Sequence, residues 1–246
     1  MSTSTLTRGI IFVAAGAQYV QEAMAAARAC ERHMGGVSRS IFVDDPRHVT
    51  HPSLFEHVLP YDPAPSMLNG KSHFFLGRIP HLARSPYDLT LSIDSDIHIV
   101  QPCHDLFDLV TERFEFGAAH APVRVIHALP DLPDSFPEVN AGLLVYRNTE
   151  AVQRLFKAWS RVYGEQLGWA EPPRHDQPSL RRALYESDVR FTILPPEYNL
   201  RTPFPFMIGG NARVKVLHGR VPNAEAIAQQ VNGAMTWQPR IGKLGK

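Results

Sequence analysis

The sequence predicts an α/β fold: one domain with a mixed, mostly parallel central sheet flanked by helices. Three observations carry this. Compact apolar runs rich in Ile and Val alternate with helix-forming stretches over the first hundred residues, acids stand at the C-terminal ends of two of those runs, and no repeat, linker or low-complexity segment divides the 246 residues.

The elements follow in order. "GIIFVAA" (9–15) is a buried strand, passing through Gly16 into the helix-rich "QYVQEAMAAARACERHM", which ends at Gly35-Gly36. "SIFVDD" (40–45) is a second buried strand. Residues 46–66 hold five prolines and no sustained period, which predicts loop with a short strand at most. "KSHFFLGRIPHLARSP" (71–86) reads as helix with a bend at Pro80, and "DLTLSID" (88–94) as the next strand. Beyond Pro102 come a short helix over "HDLFDLV", a strand over "EFGAAHAPV" (115–123), a proline- and acid-rich loop (127–138) and a strand over "NAGLLVYR" (140–147). "NTEAVQRLFKAWSRVYGEQLG" is amphipathic, with Val152, Leu155, Phe156, Trp159, Val162 and Tyr163 in one apolar stripe that reads as core. A loop (169–178), a helix over "SLRRALYES" and strands over "FTILPPEYN" and "RVKVLHG" complete the series.

Composition narrows the function. A hydrophobic content of 44% with 20% charged residues describes a soluble globule with ample core, and a net charge of +1 gives no overall attraction to nucleic acid or anionic membranes. The basic tail "RIGKLGK" reads as a solvated end. Cys30 and Cys103 lie far apart and outside any CxxC pattern, which speaks against a disulfide framework or zinc site and for a reducing cytosol. The N-terminal apolar run is too short for a signal peptide, and no stretch approaches the roughly 18 apolar residues of a membrane span. A cytoplasmic protein without a transmembrane segment is expected.

The chemistry centres on "LTLSIDSDIHIVQP". Side chains alternate along a strand, so Thr90, Ser92, Asp94, Asp96 and His98 share one face. Two carboxylates two residues apart, just past a strand's C-terminal end, can converge on one hard cation, where open α/β sheets place their ligands. Acids in that position are also common turn residues, and the residues alone leave both readings open. A phosphatase-type aspartyl nucleophile fits less well, because His98 stands where that motif wants Thr or Val. His218 in "VLHG" is a candidate third ligand and His98 a competitor by parity. Asn140 precedes Ala141 and Gly142, small residues that leave room for a ligand near the backbone. Asp176 and Gln177 precede a helix, where Asp176 reads equally as an N-cap with proline near the first turn.

The ordered set "VAAGAQYV", "SPYDLTLSIDSD", "VNAGLLVYR", "HDQPSL", "LPPEYN", "VLHG" resembles the GT-A glycosyltransferases, specifically the glycogenin-like family 8 and its bacterial relatives, over roughly residues 9–219. The resemblance implies one GT-A domain, with a nucleotide-binding half over roughly 9–102 and an acceptor- and sugar-binding half with the C-terminal tail over 103–246. It implies a nucleotide-diphosphate-sugar donor bridged by Mn²⁺ or Mg²⁺. Asp94, Asp96 and His218 match the metal ligands, which favours His218 over His98. Ser95, between the two acids, falls in the donor site. Arg78 lies near the family's basic donor-binding position, with Lys71 a weaker candidate. Asn140 matches an asparagine of the sugar pocket, and Asp176 and Gln177 match the Asp-Gln pair at the sugar's reacting face. Tyr19 matches an aromatic that stacks on the base, and Ala14 and Ala15 match the strand end lining that pocket. Retention of anomeric configuration is implied as well.

One departure concerns the base: Gly16 and Ala17 stand where several relatives carry an acid that can bind uracil, so a UDP-linked donor is not implied. Asp44 or Asp45 could meet the ribose. The acceptor is open among glycan, lipid, protein, nucleic acid and small molecule, with loops 127–138, 168–175 and 201–212 as its candidate contacts. Two other classes remain as alternatives: a metal-dependent phosphohydrolase or nucleotidyltransferase, and a non-catalytic nucleotide-sugar-binding module.

Overall fold

A computed structural model of the chain describes residues 5–121, 129 and 131–239. β1 (Arg8–Ala14) runs through Gly16, whose φ of +96° is accessible to glycine at little cost, into α1 (Ala17–His33). β2 (Ser38–Val43) and β3 (His57–Pro60) follow, the proline-rich stretch between them forming short 3₁₀ turns. β4 (Met67–Leu68) and β5 (Lys71–Ser72) pair antiparallel as a hairpin before α2 (Phe74–Leu82). The helix expected over 71–86 is therefore shorter. The cause is "NG": Asn69 and Gly70 both take positive φ, the conformation of a tight hairpin turn, and the chain reverses there.

β6 (Leu89–Ile93), β7 (Ile97–Ile99), α3 (Asp105–Glu112), β8 (Phe116–His120), β9 (Val139–Arg147), α4 (Glu150–Gln166), α5 (Gln177–Glu186) and β10 (Phe191–Leu194) come next. β11 (Leu200–Arg201), β12 (Phe206–Met207), β13 (Val216–His218), α6 (Ala224–Ala234) and β14 (Thr236–Trp237) complete the fold. The strand expected over 213–219 is thus confined to three residues. The end of the strand expected to reach 123, the start of the 127–138 loop and the basic tail 240–246 lie outside the described residues.

Seven strands form the central sheet in the order β10-β8-β9-β6-β1-β2-β3. Only β9 runs against its neighbours β6 and β8; the other pairings are parallel. Alternation along β1 sends Ile10 and Phe12 into one apolar cluster with Val20, Met24 and Phe107, and Ile11 into another with Leu82, Trp159 and Leu180. Both faces of the sheet are covered, which explains the near-continuous apolar runs. The α4 stripe is buried throughout, as expected. No helix among the described residues is long and apolar enough to cross a membrane.

A second, three-stranded sheet, β11-β13-β7, stands beyond the C-terminal end of β6. α6 closes it from outside through Ala224, Ala228 and Val231, packed with Leu200 and Leu217. Asn223 caps α6 by accepting from Ala226 N–H at 2.9 Å, and the helix's apolar positions recur at i, i+4 and i+7. That pattern is present in the sequence, but the elements read from it above end with the strand over 213–219 and do not include this helix.

Candidate active site

The two sheets meet at the turn between β6 and β7. Asp94 N–H donates to Gly142 O at 2.8 Å, tying the turn to β9, and Gly219 N–H donates to Asp96 O at 2.9 Å, tying it to β13. His218 pairs with Ile97 in the antiparallel β13–β7 register, so its imidazole faces both aspartates across the strand ends. Nε2 of His218 lies 3.5 Å from Asp96 Oδ1 and 4.0 Å from Asp94 Oδ2. One ligand atom from each of the three residues falls within 4.8 Å of the others. The second oxygen of each carboxylate meets an arginine: Asp94 Oδ1 is 3.0 Å from Arg78 Nη2, and Asp96 Oδ2 is 3.9 Å from Arg220 Nη1.

A chain of amides aims the imidazole. Gly142 N–H donates to Asn140 Oδ1 at 3.1 Å, which orients that amide unambiguously. Asn140 Nδ2 therefore donates to Gln177 Oε1 at 2.6 Å, and Gln177 Nε2 donates to Glu138 at 3.3 Å. Asn199 Nδ2 also donates to Asn140 Oδ1, at 2.9 Å, which turns Asn199 Oδ1 toward His218 Nδ1, 2.9 Å away. Nδ1 thus donates to Asn199, and Nε2 is the imidazole atom that faces the carboxylates. Two carboxylate oxygens and one neutral imidazole nitrogen, the latter with a hydrogen-bonded outer partner, fit a divalent cation such as Mn²⁺ or Mg²⁺. Asn199→Ala is expected to weaken Mn²⁺ binding by about 10- to 100-fold without unfolding the protein, read by electron paramagnetic resonance titration.

Arg78, on α2, is almost fully buried and bridges two acids: besides Asp94 it lies 3.7 Å from Asp176 Oδ2, and Nη2 donates to Ala141 O at 2.8 Å. Asp176 stands at the N-cap of α5, but its side chain makes no capping hydrogen bond. Its backbone carbonyl instead accepts from Trp159 Nε1 at 3.0 Å and Ser179 Oγ at 2.6 Å, so a core aromatic anchors the residue. The carboxyl is buried, and Oδ2 accepts no hydrogen bond among the described residues. Burial pushes its pKa up to about 7, opposed by the Arg78 charge and reinforced by Asp94. An acid raised from 3.8 to about 7 on folding is charged in the unfolded chain alone over that interval, so stability falls as pH rises from about 4 to 7 and then levels. Asp176→Asn is accordingly expected to stabilise the fold at pH 8 by on the order of 2–4 kcal/mol, and by much less at pH 4.5, in parallel urea titrations.

The other expected site residues fall in distinct places. Ala14 is buried and Ala15 half-buried at the end of β1, and Tyr19, 47% exposed on α1, has its ring 5.9 Å from the Arg220 guanidinium. Ser95 faces α1 rather than the ligand cluster, donating to Glu22 Oε2 at 3.1 Å. Lys71 is exposed on the β4–β5 hairpin, and its side chain makes no hydrogen bond or ion pair among the described residues. His98 lies on β7 outside the three-residue cluster. The space left by Gly142 is filled from within: a Cβ there would come within 2.2 Å of His218 Cε1. Asp45 is a turn residue paired with Arg47 at 2.6 Å, whereas Asp44 Oδ2 accepts from Gly16 N–H at 2.9 Å. An acid thus reaches the end of β1 after all, delivered from β2.

Four participants were not foreseen from the sequence. Asn199 sits within "LPPEYN" without any local mark of its role. Arg201 Nη1 approaches His218 Nε2 at 3.2 Å. Glu22 and Arg220 form a two-pronged pair at 2.8 and 2.9 Å beside Asp96, joining residues at opposite ends of the chain.

No protein-family model matches the sequence, and no curated protein matches it. Solved structures match in three dimensions. The apo structure of WbbM, a bifunctional glycosyltransferase, superposes with a TM-score of 0.58 at 19% identity, over 82% of this chain and 41% of that one. The glycosyltransferase GlyE of Streptococcus pneumoniae TIGR4 gives 0.61 at 16%, over 88% and 56%. An active-site glutamine-to-glutamate mutant of LgtC gives 0.60 at 15%, over 94% and 98%. The fold is GT-A-like. The chain spans about half the length of WbbM and GlyE and nearly all of LgtC.

Proposed function

We propose that the chain is a metal-dependent glycosyltransferase that moves a sugar from a nucleotide-diphosphate-sugar to an acceptor hydroxyl, with retention of configuration. The observation that carries this reading is the convergence of Asp94, Asp96 and His218 at the sheet's C-terminal edge in a GT-A-like fold. Mn²⁺ or Mg²⁺ held by these residues would offset the negative charge that develops on the leaving diphosphate. Arg78 fixes the Asp94 carboxylate, leaving Oδ2 for the cation. Asn140 and Gln177 spend one N–H each on the amide chain and keep another for sugar hydroxyls. A glutamine in the active site of LgtC supports giving Gln177 a place at the sugar. Asp176, held without a capping bond beside Arg78, lies on the same side. Ala14, Ala15, Tyr19 and Asp44 surround the end of β1, where the base and ribose would lie. Buried free thiols at Cys30 and Cys103 agree with a reducing, cytoplasmic setting.

Chelation tests the metal role. Sugar transfer, or slow donor hydrolysis where the acceptor is unidentified, is expected to fall at least about 100-fold in excess EDTA and to return with Mn²⁺. Full activity in EDTA contradicts it.

A further inference from the structure

Three arginines surround the two aspartates, and two of them are paired with acids: Arg78 with Asp94 and Asp176, Arg220 with Glu22 and Asp96. Arg201 is different. Among the described residues it has no carboxylate within ion-pair distance, its Nε is buried without a hydrogen-bond partner, and its Nη1 lies 3.2 Å from Nε2 of His218. A half-buried guanidinium whose hydrogen-bonding partner is an imidazole, and which meets the Asp96 and Asp94 charges only through space, keeps N–H groups to spare for an anion.

The same Nε2 is the nitrogen ligand of the candidate metal site. It cannot accept an Arg201 N–H and bind a cation at once, so occupation by the cation releases the guanidinium. The backbone does not move with it: β11 pairs with β13 in a register that sets Arg201 opposite His218, and Thr202 N–H donates to His218 O at 3.0 Å. The freed side chain therefore stays beside the cluster, where its planar fork matches two oxygens of a phosphate.

We propose that Arg201 is a diphosphate-binding residue, parked on His218 until a divalent cation displaces it. The inference rests on the cation reading of the Asp94–Asp96–His218 cluster. It orders the events: the cation takes the imidazole, and the released arginine then receives the diphosphate. It also predicts effects of opposite sign on two ligands, which a purely structural arginine would not produce.

The test is calorimetric titration of the full chain with MnCl₂, and with inorganic pyrophosphate in the presence and absence of Mn²⁺, for wild type, Arg201→Gln and Arg201→Lys. Thermal melting of each variant checks that the fold is kept. In Arg201→Gln, Mn²⁺ affinity is expected to rise about threefold or more as competitor and repelling charge are lost. Pyrophosphate affinity is expected to fall about 10- to 100-fold, with Arg201→Lys between, retaining the charge without the fork. Unchanged pyrophosphate affinity, or weaker Mn²⁺ binding, in a folded Arg201→Gln overturns the proposal. Failure of the wild type to bind Mn²⁺ overturns the cation reading and the displacement step. The pyrophosphate arm without metal then decides the anion contact alone: weakening in Arg201→Gln supports it and no change overturns it.

Discussion

Asp94→Asn and Asp96→Asn are each expected to lower sugar transfer by about a thousandfold, roughly 4 kcal/mol of transition-state stabilisation, with the fold retained. Each substitution removes a carboxylate charge from the candidate metal cluster while preserving side-chain shape. The surroundings can absorb the change. Arg78 keeps Ala141 O and Asp176 when Asp94 is neutralised, and Arg220 keeps its two-pronged pair with Glu22 when Asp96 is. Melting temperatures should therefore move by only a few degrees. Loss of activity with loss of folding would mean that the acids serve the structure; retained activity in either variant would remove them from the chemistry. Single-turnover rates measured alongside far-ultraviolet circular dichroism separate these outcomes.

Gly142→Ala is expected to disable the site without replacing any of the three cluster residues. The added methyl would sit within 2.2 Å of His218 Cε1 and 2.9 Å of Asn140 Oδ1, distances at which neighbours must move. Gly142 lies in β9, in the middle of the central sheet, with its own N–H bound to Asn140 and its carbonyl to Asp94 N–H. The backbone cannot retreat, so the imidazole and the amide chain must. Overpacking of this kind costs about 1–3 kcal/mol, and the displaced Nε2 should weaken Mn²⁺ binding by at least about tenfold. Calorimetric Mn²⁺ titration with a parallel melting curve checks both parts; unaltered Mn²⁺ affinity would mean that His218 is not a ligand.

The sequence carried the frame well where burial imposes a pattern. The apolar runs of β1, β2, β6 and β9 are continuous because both sheet faces are covered, and the α4 stripe repeats at helical spacing because one face meets the sheet. The β4–β5 hairpin is legible in "NG", yet the helix expected from Lys71 onward takes in its second strand. α6 carries a cap and a period in the sequence, yet it is missing from the elements read there. At the site, the Asp94–Asp96 spacing was visible, whereas His218 rested on family resemblance because nothing local distinguishes one of twelve histidines. Asn199, Arg201 and the Glu22–Arg220 pair were illegible for a different reason. Their roles come from contacts between β11, β13 and α1, segments far apart in the chain, and no local period records such contacts. Gly142 was noticed for the space it leaves, and only the packed structure gives that space to the His218 ring.

Thermal melting of the wild-type chain against a panel of UDP-, GDP-, ADP- and TDP-sugars, with Mn²⁺ and with EDTA, shows whether a donor binds and whether a cation bridges it. A donor that binds the folded state at 100 times its dissociation constant adds about 2.7 kcal/mol. At least one donor is expected to raise the melting temperature by several degrees with Mn²⁺, and this shift is expected to disappear in EDTA and in the Asp94→Asn, Asp96→Asn double variant. No shift with any donor in Mn²⁺, or a shift of equal size in EDTA, would contradict a cation-bridged donor.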